Sequence, residues 1–171
     1  MSNGNFISKL DEFMPLWKRA NAGVQTCACS TPQTLLYFDA IDIATQRFFE
    51  FIRSLLAFEG ARTFAVLALQ PDPFSYFYHH FKKYPAFIVG PENSDNEFFA
   101  FLHADPGDSP ADALAYNAQR YAILPSTDSW FIYGNWSKQM SALCGSADAI
   151  AFAREHYPFF LDPGENFKIV D

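Results

Sequence analysis

Residues 128–143 read DSWFIYGNWSKQMSAL, and the reading of this stretch decides the fold. Trp130 to Tyr133 and Lys138 to Cys144 each alternate in the manner of a strand, and Gly134-Asn135 between them is a hairpin turn signal. The stretch therefore predicts an antiparallel β-hairpin at about 129–144. Antiparallel pairing puts Phe131 and Tyr133 on one face with Met140, Ala142 and Cys144. Trp130 and Ile132 fall on the other face with Gln139 and Ser141. The first face is the more apolar and is expected to meet the core. The second is mixed, so Trp130 is expected to be half covered. Trp136 sits at the turn, where burial is least assured, and is a candidate binding residue together with Trp130.

Working outward, TFAVLAL (63–69) is apolar on both alternating faces, as a central or doubly covered strand must be. PAFIVG (85–90) reads as a second short strand. Helices are predicted around them. Phe6, Leu10, Phe13, Met14 and Trp17 make one helical face that ends near Gly23. Residues 22–34, AGVQTCACSTPQT, are small and polar and read as a loop. Ile41, Ala44, Phe48, Phe51, Ile52, Leu55 and Leu56 make a second helical stripe, with Asp39 as its N-cap and Gly60 as its stop. Asp72-Pro73 opens a short helix through Phe81. Ser94 to Glu97 has the capping-box pattern before an apolar run to Leu102. Ser109-Pro110 opens a further helix whose face is Leu114, Ala118, Tyr121 and Ala122. Ser146 caps a last helix through His156. This order of elements predicts an α+β fold, a small and mostly antiparallel sheet with helices packed on it, as a single domain over 1–171.

The hairpin stretch also carries a resemblance. Its S-W-x-x-Y/W-G segment, followed by a polar turn and an apolar strand, resembles uncharacterised bacterial single-domain proteins, some of them immunity or accessory proteins of toxin systems. The resemblance covers 16 of 171 residues. Asn135 and Trp136 stand where an acid and an arginine are usual, and no functional residue carries over.

Charge is uneven along the chain. Residues 1–83 have a net charge of +1 and residues 84–171 one of −8, which together give the overall −7. Glu92, Asp95, Glu97, Asp105, Asp108 and Asp112 lie between Lys83 and Arg120 with no basic residue among them. Such a surface repels phosphate backbones, which disfavours nucleic acid, and attracts a basic protein. Asp105 and Asp108 are the acids with least structural reason to be where they are, so they join Trp130 and Trp136 as binding candidates. Twenty phenylalanines demand a core of flat, bulky rings.

The expected chemistry is sparse. Cys27, Cys29 and Cys144 match no disulfide framework or zinc spacing, and they are expected to stay reduced. Cys144, on an apolar face, reads as a small hydrophobe. His79-His80 reads as a solvated basic face. His103-Ala-Asp105, with His79, His80 or His156, makes only a weak metal or catalytic motif. No cofactor, metal or membrane span is expected, and the compartment is read as the cytoplasm. The leading expectation is an acidic, immunity-like binding protein that docks a basic partner. A small enzyme using His103 and Asp105, and a homo-oligomer that hides surplus aromatic surface, stand as alternatives.

Overall fold

A computed structural model describes residues 6–171. In chain order the elements are α1 (Leu10–Ala28), β1 (Leu35–Asp39), a 3-10 turn (Ala40–Ala44), α2 (Gln46–Glu59) and β2 (Phe64–Gln70). A π-helical turn (Pro73–Tyr78) then runs into α3 (His79–Phe81). After it come β3 (Ala86–Val89), α4 (Asp95–Leu102), α5 (Leu114–Asn117), β4 (Arg120–Pro125), β5 (Trp130–Asn135), a 3-10 turn (Trp136–Lys138), β6 (Met140–Gly145) and α6 (Ala147–His156). The strands form one sheet in the order β1-β6-β5-β4-β2-β3, and every pairing is antiparallel. The fold is α+β, with helices on both faces of an antiparallel sheet.

The hairpin forms with the expected division of faces. Phe131 pairs with Cys144, Tyr133 with Ala142 and Asn135 with Met140, while Ile132 pairs with Leu143. The turn is not where the sequence suggests. Gly134 and Asn135 belong to β5, and the connection is Trp136 to Gln139, with Gln139 in the left-handed region at φ 54°. Asn135 Oδ1 accepts from Lys138 N and closes that connection. Gly134 is needed inside the strand because the Tyr121 ring of β4 lies across it, and a Cβ there would collide with the ring.

Strand parity sorts the interior into two cores. One face carries Phe38, Phe64, Val66, Phe87, Tyr121, Ile123, Trp130, Ile132 and Leu143, covered by α2, α4, α5 and α6. Its rings pack on one another, as where Phe49 stacks on Phe98 at 4.2 Å between centroids. The opposite face carries Ala65, Leu67, Ala86, Ala122, Leu124, Phe131, Tyr133, Ala142 and Cys144. Small residues there let α1 lie close to the sheet. Gly23 sits directly over the Phe131 ring, with no room for a Cβ between them.

Local signals held where capping chemistry set them. Ser94 and Glu97 form a complete capping box, Asp72 accepts from the N–H groups of Phe74 and Ser75, and Ser146 accepts from Ala149. Gly60 ends α2 in the left-handed region. Asp39 caps the 3-10 turn, and Thr45 caps α2 itself. Two expectations are corrected, and one strand forms where no element was expected. Residues 22–28 continue α1, because Ala20 and Cys27 fall two turns apart on its buried face. Leu35–Asp39 is an edge strand held by β6. Arg120–Pro125 is β4 rather than the end of a helix, since Tyr121 and Ile123 serve one core while Ala122 and Leu124 serve the other.

The cysteines are corrected as well. Cys27 on α1 and Cys144 on β6 are joined in a disulfide, with their Cα atoms 5.6 Å apart and a sequence separation of 117. Cys29 is free and exposed. Among the described residues no helix is long and apolar enough to cross a membrane.

Closing so long a loop restricts the unfolded chain. Cys144→Ala is therefore expected to lower the unfolding free energy by about 2–5 kcal/mol. Urea titration checks this. Reduction of the wild type should give a similar drop, and Cys29→Ser should leave the midpoint where it was. Gly134→Val, which forces Tyr121 from its place, is expected to cost about 1–3 kcal/mol in the same assay.

Candidate functional site

The four residues singled out by sequence do not share a surface role. Asp105 is buried, and its carboxylate organises its own loop. Oδ1 accepts from the backbone N–H groups of Gly107 at 2.8 Å and Ser109 at 3.1 Å, and Oδ2 accepts from that of Asp112 at 3.3 Å. Trp130 is buried too, and its Nε1 donates to Glu59 Oε1 at 2.8 Å. Neither side chain is available to a partner in this structure, which corrects the expectation for both. Trp136 is half-buried against the phenylalanine-rich core, and its Nε1 is enclosed without a hydrogen-bond acceptor. Asp108 alone is exposed, at φ 62° on the tip of the 105–112 loop.

The rest of the acidic stretch is largely committed to local structure. Glu97 accepts from Ser94 N at 2.7 Å, Asp95 meets Arg53 and Gln46, and Asp112 accepts from the Tyr76 hydroxyl at 3.0 Å. Glu92 and Asp108 are the two whose carboxylates take no hydrogen bond or ion pair among the described residues.

The histidines stay apart from the acids. His103 Nδ1 lies 3.2 Å from the Tyr116 hydroxyl, whereas Asp105 gives both oxygens to backbone N–H groups. The expected His103/Asp105 pair is thus not assembled. His80 Nδ1 meets Tyr76 O at 2.6 Å, and His156 Nδ1 meets Phe152 O at 2.9 Å. Among the described residues no three or more His, Cys, Asp or Glu side chains are grouped to hold a metal ion.

A buried polar network that the sequence did not suggest lies beneath the 3-10 turn. Asp42 accepts from the Tyr157 hydroxyl at 2.6 Å and from Arg47 at 3.3 Å. Burial first, and then the Asp42 carboxylate, push the Tyr157 hydroxyl well above the usual tyrosine range. Tyr121 donates to Ala40 O at 3.2 Å and meets Ser141 Oγ, and its burial likewise raises its pKa. Both phenols stay protonated at neutral pH and act as hydrogen-bond donors that tie helices to the sheet.

Two surface features remain. On the outside of α2 and α6, three rings form a step. Phe58, 51% exposed, stacks on Phe152 at 4.4 Å, and Phe152 stacks on His156 at 3.9 Å. At 100° per residue, Asp148, Phe152 and Glu155 share one outward stripe of α6, so carboxylates flank the step along the helix. A sequence reading passes over this feature because Phe58 and Phe152 look like core residues of amphipathic helices. On the opposite side of the molecule a polar cleft of about 730 Å³ opens beside α1, between Trp17, Gln70, Arg120 and Tyr133.

The roles of the two acids in the 105–112 loop separate by substitution. Asp105→Ala leaves three backbone donors without their acceptor and is expected to cost about 1–3 kcal/mol. Asp108→Asn, exposed and tolerant of positive φ, is expected to stay within about 0.5 kcal/mol of the wild type. Urea midpoints measure both.

Comparison with family models, with curated proteins and with solved structures finds no match to this chain.

Proposed function

We propose that this chain is a binding protein that docks a basic protein partner, immunity-like in the sense that it acts by covering a surface rather than by transforming a substrate. The observation that carries the reading is the Phe58–Phe152–His156 step. Phe58 keeps about half of its surface in water, although nearly every other phenylalanine of α2 is buried. A stacked, rigid aromatic projection loses little side-chain entropy on binding and is the kind of anchor on which interfaces concentrate their energy. Asp148 and Glu155 beside it, on a chain of net charge −7, favour a partner of positive potential.

The compartment belongs to the same proposal. The cytoplasm is the expectation from sequence, where thiols stay reduced, whereas a Cys27–Cys144 bond is at home where thiols oxidise. A cytoplasmic binding protein would carry this bond as a reversible cross-link. Acid quenching of intact cells followed by alkylation in denaturant decides the matter, because Cys27 and Cys144 are buried in the folded chain. Labelling of Cys144 in the native producer supports the cytoplasm, and labelling of Cys29 alone rejects it.

The docking reading is tested by affinity capture from the native producer. The bait is wild type, Phe58→Ala, and the charge-reversed pair Asp148→Lys/Glu155→Lys. A basic protein should be retained at low salt and released at about 1 M salt, where the Debye length is only about 3 Å. Both variants should lose it. Equal retention by all three baits rejects this surface. A second copy of the chain as the captured protein would make the step a homo-oligomer interface.

A further inference from the structure

We propose that the cleft beside α1 is a binding site for a small organic acid, and that the Asp171 side chain holds the position of that acid's carboxylate. α1 leaves sheet uncovered at two places, near Phe131 and near Arg120. Near Arg120 the gap is a cleft of about 730 Å³, within the range of roughly 300–1,000 Å³ that small-molecule sites occupy. Its walls offer the apolar faces of Trp17, Val24 and Leu69 and the side-chain amides of Asn21, Gln70 and Gln119.

Two cations converge on Asp171, a residue of the cleft wall, and of the two Arg120 also lines the cleft while Lys138 stands behind Asp171. Arg120 is held by its own surroundings, with Nη1 donating to Gln119 O at 3.0 Å and to Ser137 Oγ at 2.8 Å. Its Nη2 lies 3.3 Å from Asp171 Oδ2. Lys138 Nζ donates to Lys168 O at 2.6 Å and lies 2.6 Å from Asp171 Oδ1. One carboxylate thus bridges an arginine that is only 16% exposed and a lysine that the hairpin turn positions. Lys138 first, and then Arg120, hold the Asp171 carboxyl below the usual aspartate range.

The occupying carboxylate faces solvent. Its segment is anchored two residues earlier, where Ile169 is buried and its carbonyl accepts from Asn135 Nδ2 at 2.9 Å. The Asp171 side chain itself is 67% exposed, so it can swing out while the anchor stays seated. Asp72, the other carboxylate on the rim, has its Oδ1 committed to the N–H groups of Phe74 and Ser75 and pairs with neither Arg120 nor Lys138. A ligand that places a carboxylate between Arg120 and Lys138, an amide or hydroxyl against Gln70 and Gln119, and an apolar body on Trp17 matches every wall of the cleft. This site is separate from the aromatic step and does not depend on it.

The probe is N-acetyl-L-phenylalanine, with its uncharged amide as control, titrated by calorimetry and by NMR of the Trp17 indole and the Asn21, Gln70 and Gln119 side-chain amides. Asp171→Asn removes the internal competitor and should bind the acid about tenfold or more tightly than wild type, since hydrogen bonds to charged groups are strong. Adding Lys138→Gln to that variant should reverse the gain without disturbing the fold, whatever Arg120→Gln does to it. The amide should not bind. Equal affinity of wild type and Asp171→Asn, equal binding of acid and amide, or no saturable binding of the acid by Asp171→Asn overturns the proposal.

Discussion

A sheet whose strands are apolar on both faces must be covered on both faces. β2 shows the constraint most plainly, with Phe64, Val66 and Ala68 on one side and Ala65, Leu67 and Leu69 on the other, all buried. Six strands at about 4.8 Å make a surface near 29 Å wide, whereas one helix with its side chains is about 10 Å across. The chain answers differently on the two sides. Four helices and most of the phenylalanines blanket one face. The other has α1 alone, helped by the segments around Ile7, Tyr84 and Ile169. Alanines under α1 compensate for the shortage of cover by letting it sit close. What one helix cannot reach becomes groove.

Polar residues wholly inside so aromatic an interior are few, and each has its partners. Asp42, Asp105, Asn135 and Ser141 are the buried polar residues. Asp42 and Ser141 receive tyrosine hydroxyls, Asp105 gathers backbone donors, and Asn135 serves both its own turn and the Ile169 carbonyl. Asp105 closes its own loop, whereas the other three join segments far apart in sequence, such as Asp42 with Tyr157. Flat rings slide over one another with little cost, and directional bonds of this kind fix which ring meets which.

Legibility in the sequence followed how local each cause was. Caps at Asp72, Ser94 and Ser146 and the stop at Gly60 act within a few residues, and all were readable. Parity alone sorted Phe131 and Tyr133 from Trp130 and Ile132. Gly134 misled because its glycine is required by Tyr121, thirteen positions away in sequence and adjacent only across the sheet. β4 misled because Leu114, Ala118, Tyr121 and Ala122 happen to fit a helical period. β1 is five residues long and leans on β6 for its existence. The disulfide and the Arg120–Asp171–Lys138 cluster join residues whose proximity no spacing rule reports. Of the candidate site residues, Trp136 and Asp108 stay at least partly at the surface, while Trp130 is buried against the distant Glu59 and Asp105 is turned inward by the backbone donors of its own loop.

The covalent bond between Cys27 and Cys144 has a mechanical meaning. It turns everything from the end of α1 to the middle of β6 into a ring, which contains β1 to β5 entire. A pull applied between α1 and α6 runs through the two sulfurs and bypasses the ring. Only the flanking pieces can be drawn out, and roughly 400 Å of contour length stays out of reach of the force at about 3.4 Å per residue. Stretched in this direction, the sheet bears almost none of the tension, and the molecule resists as a loop tied at its neck.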